Sequence, residues 1–313
     1  MSAITGWLWL NSRSLTGVSP LTQAIQAIMS MDKTDGYIDR VQHLLPAPTV
    51  ATKLLGLFSD PNRDIDEIVE LISHEPALTA EVLKRCNSAF FGGAEPASDM
   101  FEAITRLGFY EVYCVVVALV SARAMSLGKG EGGLDAGRLW RHSVMTAVTA
   151  AELAKCTEGA DAVAFTAGLL HDVGRLVFAS VEEMAYADLV RQAGPFGPAL
   201  IRAEESAFGV THASVGARLL NRWGLPANVV VAVLYHHDAP KAAKPFEQLA
   251  ATIHLANTLA HHIADGAPTA SAPPACNPDA MALLELTVQH VPRIIEQAQA
   301  SLRRVHGLHT MIS

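Results

Sequence analysis

The stretch GLLHDVGRL, Gly168 to Leu176, sets a histidine and an aspartate side by side inside an apolar run. Imidazole and carboxylate are the usual ligands of zinc, iron, nickel or manganese, and a His-Asp doublet lets the aspartate bridge two ions while the histidine holds one. Further histidines of the second half have the same capacity: His142 in LWRHSV, His212 in VTHASVG, and the adjacent His236 and His237 in LYHHDAP. A single buried histidine on a helix is more often a satisfied core residue than a ligand. A doublet differs, because neighbours on a helix point about 100° apart and both face the interior only beside a polar pocket. A divalent transition metal (Fe, Ni, Mn or Zn) held by His142, His171, Asp172 and the further histidines would lower the pKa of bound water towards ~7 and polarise a phosphoryl oxygen. Arg141 and Arg175 are the nearest basic residues in sequence, and both are expected on polar helix faces at the surface. Glu204 and Glu205 add carboxylates, but a charged pair before an Ala-Phe-Gly turn is expected to be solvated.

The elements that must position these residues are helices. Apolar residues recur at three and four in DEIVELISHEPALTAEVLKRCN and HASVGARLLNRWG, and alternating β-branched runs bounded by turns are missing from the sequence, so the fold is expected to be all-α. LLPAPT, Leu44 to Thr49, precedes one helix; SDPNRDIDEI starts another with Asp60 and Asp64 as caps; FFGGAEPAS, Phe91 to Ser98, reads as a loop. The four glycines in GKGEGG, Gly128 to Gly133, cannot hold a helix and mark a boundary. DGAPTASAPPACNPD, Asp265 to Asp279, reads as a loose loop, followed by a last helix from Met281 to Val305.

Composition excludes several classes. The chain has 313 residues, half of them hydrophobic and 17% charged, which is enough for a real core and far from disorder. A net charge of −8 argues against tracking a phosphate backbone, so no direct nucleic-acid binding is expected. Apolar stretches such as Val112 to Val120 fall short of the ~20 residues a bilayer span needs. The ITGWLWL cluster near the start has neither a basic region before it nor a small-residue cleavage site after it, so a cytoplasmic protein without membrane attachment is expected. Cys86, Cys114, Cys156 and Cys276 form no CxxC pair and read as reduced, mostly buried thiols.

From Ile38 to about His262 the chain resembles the HDOD domain, the HD-related output domain of bacterial signalling proteins. The resemblance is carried by LLPAPTVATKLLGLFSDPNRDIDEIVELISHEPALTAEVLKRCNSAFFG, then AITRLGFYEV, LWRHSV, AFTAGLLHDVGRLVF, EESAFGVTHASVGARLLNRWGLP and the HH pair, in the family's order. It implies an N-terminal helical bundle followed by an HD-like helical bundle. The divisions expected are an extension over 1–37, an N-terminal subdomain over 38–127, an HD-like subdomain over 134–262, and a loop with a C-terminal helix over 263–313. The family is related to HD phosphohydrolases and to HD-GYP cyclic-di-GMP phosphodiesterases, yet is generally a regulatory relative. Enzymatic HD domains close their ligand set with an aspartate in a late stretch resembling ADxLA; the matching stretch here, IHLANTLA, carries Asn257 instead. An amide brings no negative charge, so a metal there would lose an anionic ligand. No GYP triplet follows HDVG, where the chain runs RLVF.

The first half holds no histidine or carboxylate cluster; its signature residues Asn87, Ser88, Phe90 and Phe91 are expected to cap and fix a loop, or to present a partner surface. With no receiver, PAS or GGDEF segment in the sequence, input is expected through other signalling proteins or a ligand. The leading expectation is a regulatory module that acts by protein–protein contact; a metal-dependent phosphohydrolase or phosphodiesterase is the alternative.

Overall fold

The computed structural model describes residues 32–304 apart from 42–44, 46, 48, 61–63, 88–96, 128–133, 158 and 265–273. ITGWLWL, Ser88, Phe90, Phe91 and the glycine-rich 128–133 stretch lie outside the described residues. Among the described residues the protein is all-α, without a strand.

The chain runs through α1 (Asp32–Val41), α2 (Thr49–Ser59), α3 (Ile65–Ser73), α4 (Pro76–Cys86), α5 (Met100–Leu107) and α6 (Phe109–Leu127). It continues with α7 (Ala136–Cys156), α8 (Asp161–Leu170), α9 (Val173–Val181), α10 (Glu183–Ala193), α11 (Pro198–Phe208), α12 (His212–Arg222), α13 (Ala227–Leu234) and α14 (Glu247–Ala264). Last come α15 (Pro278–Leu283) and α16 (Val291–Arg304). Local chemistry starts many of them: Asp64, Asp99 and Asp135 accept backbone N–H groups at the heads of α3, α5 and α7, and Thr211 with Ser214 forms a reciprocal cap on α12. Asp64 is the cap of α3, and Asp60 lies just past the end of α2.

Helices α2 to α6 pack on one another, and α6 leans on α7 and α8. Helix α7 is the central post, lying against α8, α14 and α16. Its inner positions from Leu139 to Ala154 are almost all buried, because small residues alternate with Val and Leu along them. Helix α1, across the expected 37/38 division, packs on α9 and α12, where Arg218 grips Asp35 through two nitrogens. The expected single helix Met281–Val305 is instead two, with Glu285 at φ +54° and Thr287 capping a short 3-10 turn between them. Asn277 caps α15, so the helix begins inside the stretch expected to be loop. The cysteines divide evenly: Cys86 and Cys114 are buried, Cys276 is half-buried and Cys156 is exposed. The segment Asp161–Val181 is long and apolar enough to cross a membrane by composition, but its most apolar 18 residues are buried in the protein and it is broken at His171 and Asp172.

Two glycines flanking the doublet permit its packing. A Cβ on Gly168 would stand 2.9 Å from the Ala147 Cα of α7, and one on Gly174 would stand 2.0 Å from the His212 carbonyl oxygen of α12. Gly174→Ala is therefore expected to destabilise the protein by about 3 kcal/mol or more through forced separation of α9 and α12. Gly36→Ala, on α1 with open space around it, is expected to stabilise by roughly 0.5–1 kcal/mol. Denaturant unfolding of the two variants checks the contrast.

Candidate metal centre

The doublet does not lie within one helix, as the spacing argument supposed. His171 and Asp172 form the turn between α8 and α9, and the chain bends there so that both side chains enter the interior. Most of the other candidates also sit at helix ends. His212 is the first residue of α12, and His236 and His237 follow the last turn of α13; only His142 lies mid-helix, on α7. Helix ends from four directions thus meet at one point.

The structure brings all six predicted residues together. Asp172 is at the centre: its Oδ1 lies 3.3 Å from His212 Nε2, 3.6 Å from His171 Nε2 and 3.9 Å from His236 Nε2. Donor atoms of His142, His171 and Asp172 lie within 4.8 Å of one another, and so do those of Asp172, His212, His236 and His237. Asp172 belongs to both groups. His142, His171, Asp172, His212 and His236 are each at most 4% exposed, and His237 is half-buried.

The imidazoles are oriented for ligation. His171 Nδ1 lies 2.7 Å from the Gly168 carbonyl and His236 Nδ1 2.6 Å from the Val233 carbonyl, each three residues back in its own helix. A carbonyl only accepts, so Nδ1 carries the proton and Nε2 presents its lone pair. Those two Nε2 atoms, and that of His142, are buried without a hydrogen-bond partner. Buried polar atoms are nearly always satisfied, so three orphaned nitrogens, two of them presenting lone pairs beside the Asp172 carboxylate, fit a cation. Burial holds His142, His236 and His237 well below the usual imidazole range and lowers His171 too, which favours the neutral form that ligands need.

Two sequence expectations fail here. Arg175 is not at the surface: it is buried, donating from Nη1 to Asp172 Oδ2 at 3.1 Å and from Nε to the Tyr186 hydroxyl at 3.3 Å. Against the cost of burial, His171, Arg175 and His212 hold the Asp172 carboxyl well below the usual carboxylate range. Glu204 is not solvated either. It is fully buried, its Oε2 accepts from His212 N at 2.8 Å and faces His212 Nδ1 at 2.7 Å, and its Oε1 accepts from the Tyr186 hydroxyl at 2.9 Å. Glu205 and Arg141 are exposed, as expected. The two glutamates part because consecutive helical positions point in different directions, and only Glu204 faces α12.

His261, Tyr186 and Phe196 were not singled out in the sequence. His261 stacks on His142 with ring centroids 4.3 Å apart, and Phe196 covers both, 5.0 Å from His142 and 4.4 Å from His261. The signal for His261 was its spacing: it lies four residues after Asn257 on α14, hence on the same face. Asn257 is half-buried, and its Oδ1 is sealed from solvent with no partner.

The HDOD domain family model matches residues 44–239. The chain belongs to the HDOD domain family. The matched stretch includes five of the candidates through His237 and His142 as the sixth, but ends before α14, which carries Asn257. An uncharacterised protein of Treponema pallidum (strain Nichols) is 29% identical over 70% of this chain and 42% of its own length. The chain thus spans less than half the length of the curated relatives it matches. An HDOD domain protein of unknown function from Geobacter sulfurreducens is 23% identical with a TM-score of 0.69, covering 91% of this chain and 98% of its own. A protein from Marinobacter aquaeolei VT8, named provisionally for signal transduction, is 22% identical with a TM-score of 0.72, covering 92% of this chain and 66% of its own. These two likenesses concern the HDOD fold.

Glu204→Ala would leave the His212 N–H groups and the Tyr186 hydroxyl without their buried acceptor, and is expected to cost about 3 kcal/mol or more. Glu205→Ala is expected to stay within about 0.5 kcal/mol. Equal effects in urea unfolding would contradict the division between the neighbouring glutamates.

Proposed function

We propose that this HDOD protein is a regulatory module of bacterial signal transduction that acts by contact with other signalling proteins and does not turn over a substrate. The observation that carries this is Asn257, whose amide stands where the HD enzymes place a late carboxylate and whose Oδ1 is buried without a partner. Removing one anionic ligand weakens both ion binding and water activation, and losses at such positions run to roughly 10–100-fold. Enclosure supports the same reading. A hydrolytic centre keeps an open coordination position for substrate, whereas five of the six candidate ligands here are buried and Phe196 closes over His142 and His261.

The pocket nevertheless suits a divalent transition ion. His142, His171 and Asp172 would hold one position, and Asp172, His212, His236 and His237 a second, with Asp172 common to both. A bound ion would supply Lewis acidity and acidify a water. The chain's own groups do the positioning: the Gly168 and Val233 carbonyls fix the tautomers of His171 and His236, and Arg175 pins the far oxygen of Asp172. In a regulatory protein the ion would clamp four helix ends together and give the domain one shape for its partners. A second reading, metal-dependent hydrolysis of phosphoesters, is favoured by the survival of all six donors.

Metal analysis of protein purified without added metal is expected to find a transition ion in the wild type and none in His171→Ala or Asp172→Ala. His74→Ala, exposed on the chain far from these ligands in sequence, keeps it. Equal occupancy in all these proteins would remove the assignment. In a phosphatase and phosphodiesterase panel with Mn, Fe, Ni and Mg, we expect no appreciable turnover by the wild type. Activity that is present in the wild type and lost in His171→Ala would establish the enzyme instead; activity arising only in Asn257→Asp would mark a pocket one carboxylate short of chemistry.

A further inference from the structure

Outside the ligand cluster, on the far side of Phe196, lies a separate cavity of about 410 Å³, which is within the size range of small-molecule sites. It sits between the head of α7 and the α10–α11 connection. Its lining includes Arg138, Arg175, Arg191 and Phe196, with Asp135 and Leu139. Three guanidinium groups converge on this one cavity in a chain whose net charge is −8, and together they present many charged donors to one space. Two are at the mouth, where Arg138 and Arg191 are exposed; the third, Arg175, is 2% exposed and closes the floor. Asp172 and Asp188 pair with Arg175 and Arg191 from outside the lining, and Asp135 caps α7 by accepting from Arg138 N at 2.8 Å, so among the described residues the Arg138 guanidinium is the one of the three that holds no ion pair.

Phe196 holds the arrangement in place. The Arg138 and Arg175 guanidinium carbons lie 5.1 and 4.9 Å from its ring centroid, so the ring spaces the two cations and orients them towards the cavity. The loop that carries it, Gly194 to Gly197, has both glycines in the left-handed region, at φ +87° and +89°. A side-chain-bearing residue adopts that conformation only with strain, so this course of the loop depends on glycine at both ends.

From this geometry we propose that the cavity is a binding site for a phosphorylated small molecule of about mononucleotide size. The arginines grip the phosphate with planar forks of charged donors, the geometry that suits phosphate best. Ligand charge placed here acts on Arg175, whose other face donates to Asp172, so occupancy of the outer cavity reaches the inner cluster through one side chain. The site provides a route by which a small molecule acts on the inner cluster.

AMP and inorganic phosphate serve as probes, titrated calorimetrically into wild type, Arg138→Gln, Arg191→Gln and Arg141→Gln, all compared at equal metal content. Arg138 and Arg191 are exposed, so their variants retain the fold, which circular dichroism checks. AMP is expected to bind the wild type and to lose about tenfold in affinity in Arg138→Gln and in Arg191→Gln. Arg141→Gln, exposed on the same helix and outside the lining, is expected to bind as the wild type does. Failure of both probes to bind the wild type at millimolar concentration would overturn the proposal. So would equal losses in all three variants, or none in any, since neither places the ligand in this cavity. None of these outcomes depends on turnover or on the identity of the metal.

Discussion

The structure is organised around the cost of burying one carboxylate. Asp172 lies at the junction of two apolar helices, where an isolated negative charge would cost several kcal/mol even after local relaxation. Compensation comes from Arg175 on Oδ2 and from His212, whose Nε2 lies 3.3 Å from Oδ1, while the Nε2 lone pairs of His171 and His236 face the same oxygen and suit a shared cation. Bringing those groups within 4 Å of one oxygen requires helix ends to meet without side chains between them. Hence the glycines at Gly168 and Gly174, where any Cβ would collide with a neighbouring backbone. The apolar helices give the protein its stability, but the demand of this charge determines where their ends come together.

The compensation forms a closed ring of polar contacts. It runs from Asp172 Oδ2 to Arg175, from Arg175 Nε to the Tyr186 hydroxyl, from that hydroxyl to Glu204, from Glu204 to His212 Nδ1, and from His212 Nε2 back to Asp172 Oδ1. Every member is buried. With both carboxylates ionised, the ring holds two negative charges and one permanent positive charge. Burial disfavours a charged His212, but Glu204 and Asp172 overcome that and raise it to about 9, so the ring balances as a protonated imidazole, one guanidinium and two carboxylates. Its second N–H then points at His237 Nε2, 2.8 Å away. A cation entering there would replace that proton with no change in the sign of what the carboxylates require, so one network suits both the metal-free and the metal-bound state.

Much of this was legible in the sequence. All six clustered residues could be listed from residue type and from the order of the HDOD motifs, and helical periodicity, with a cap at Asp64, pointed to the fold class. What periodicity could not convey was the surroundings of each charge. Arg175 and Glu204 are residue types of the surface; they are inside because each finds a charge of opposite sign that only the tertiary fold supplies. Phe196 escaped notice for a related reason, since an aromatic after Gly-Pro carries no periodic signal, whereas His261 could have been found from its four-residue spacing after Asn257. The last helix was misread because a turn with a positive-φ glutamate leaves the apolar spacing on either side of it intact.

Asn257 brings the chemistry and the architecture to the same point. It lies on the face of α14 that also carries His254, whose Nδ1 is 2.8 Å from the His236 carbonyl, and His261, which stacks on His142. A carboxylate at that place would add a third negative charge to the interior, beside the two the ring already balances. Without an ion of high charge to meet it, such a group would be costly to bury. An amide asks for far less, and a protein that keeps it can retain its fold whether or not metal is plentiful. On the regulatory reading proposed above, that tolerance suits a module that presents one stable surface to partners: the amide that weakens a hydrolytic centre also spares the interior a further charge, and its Oδ1 is buried without a partner.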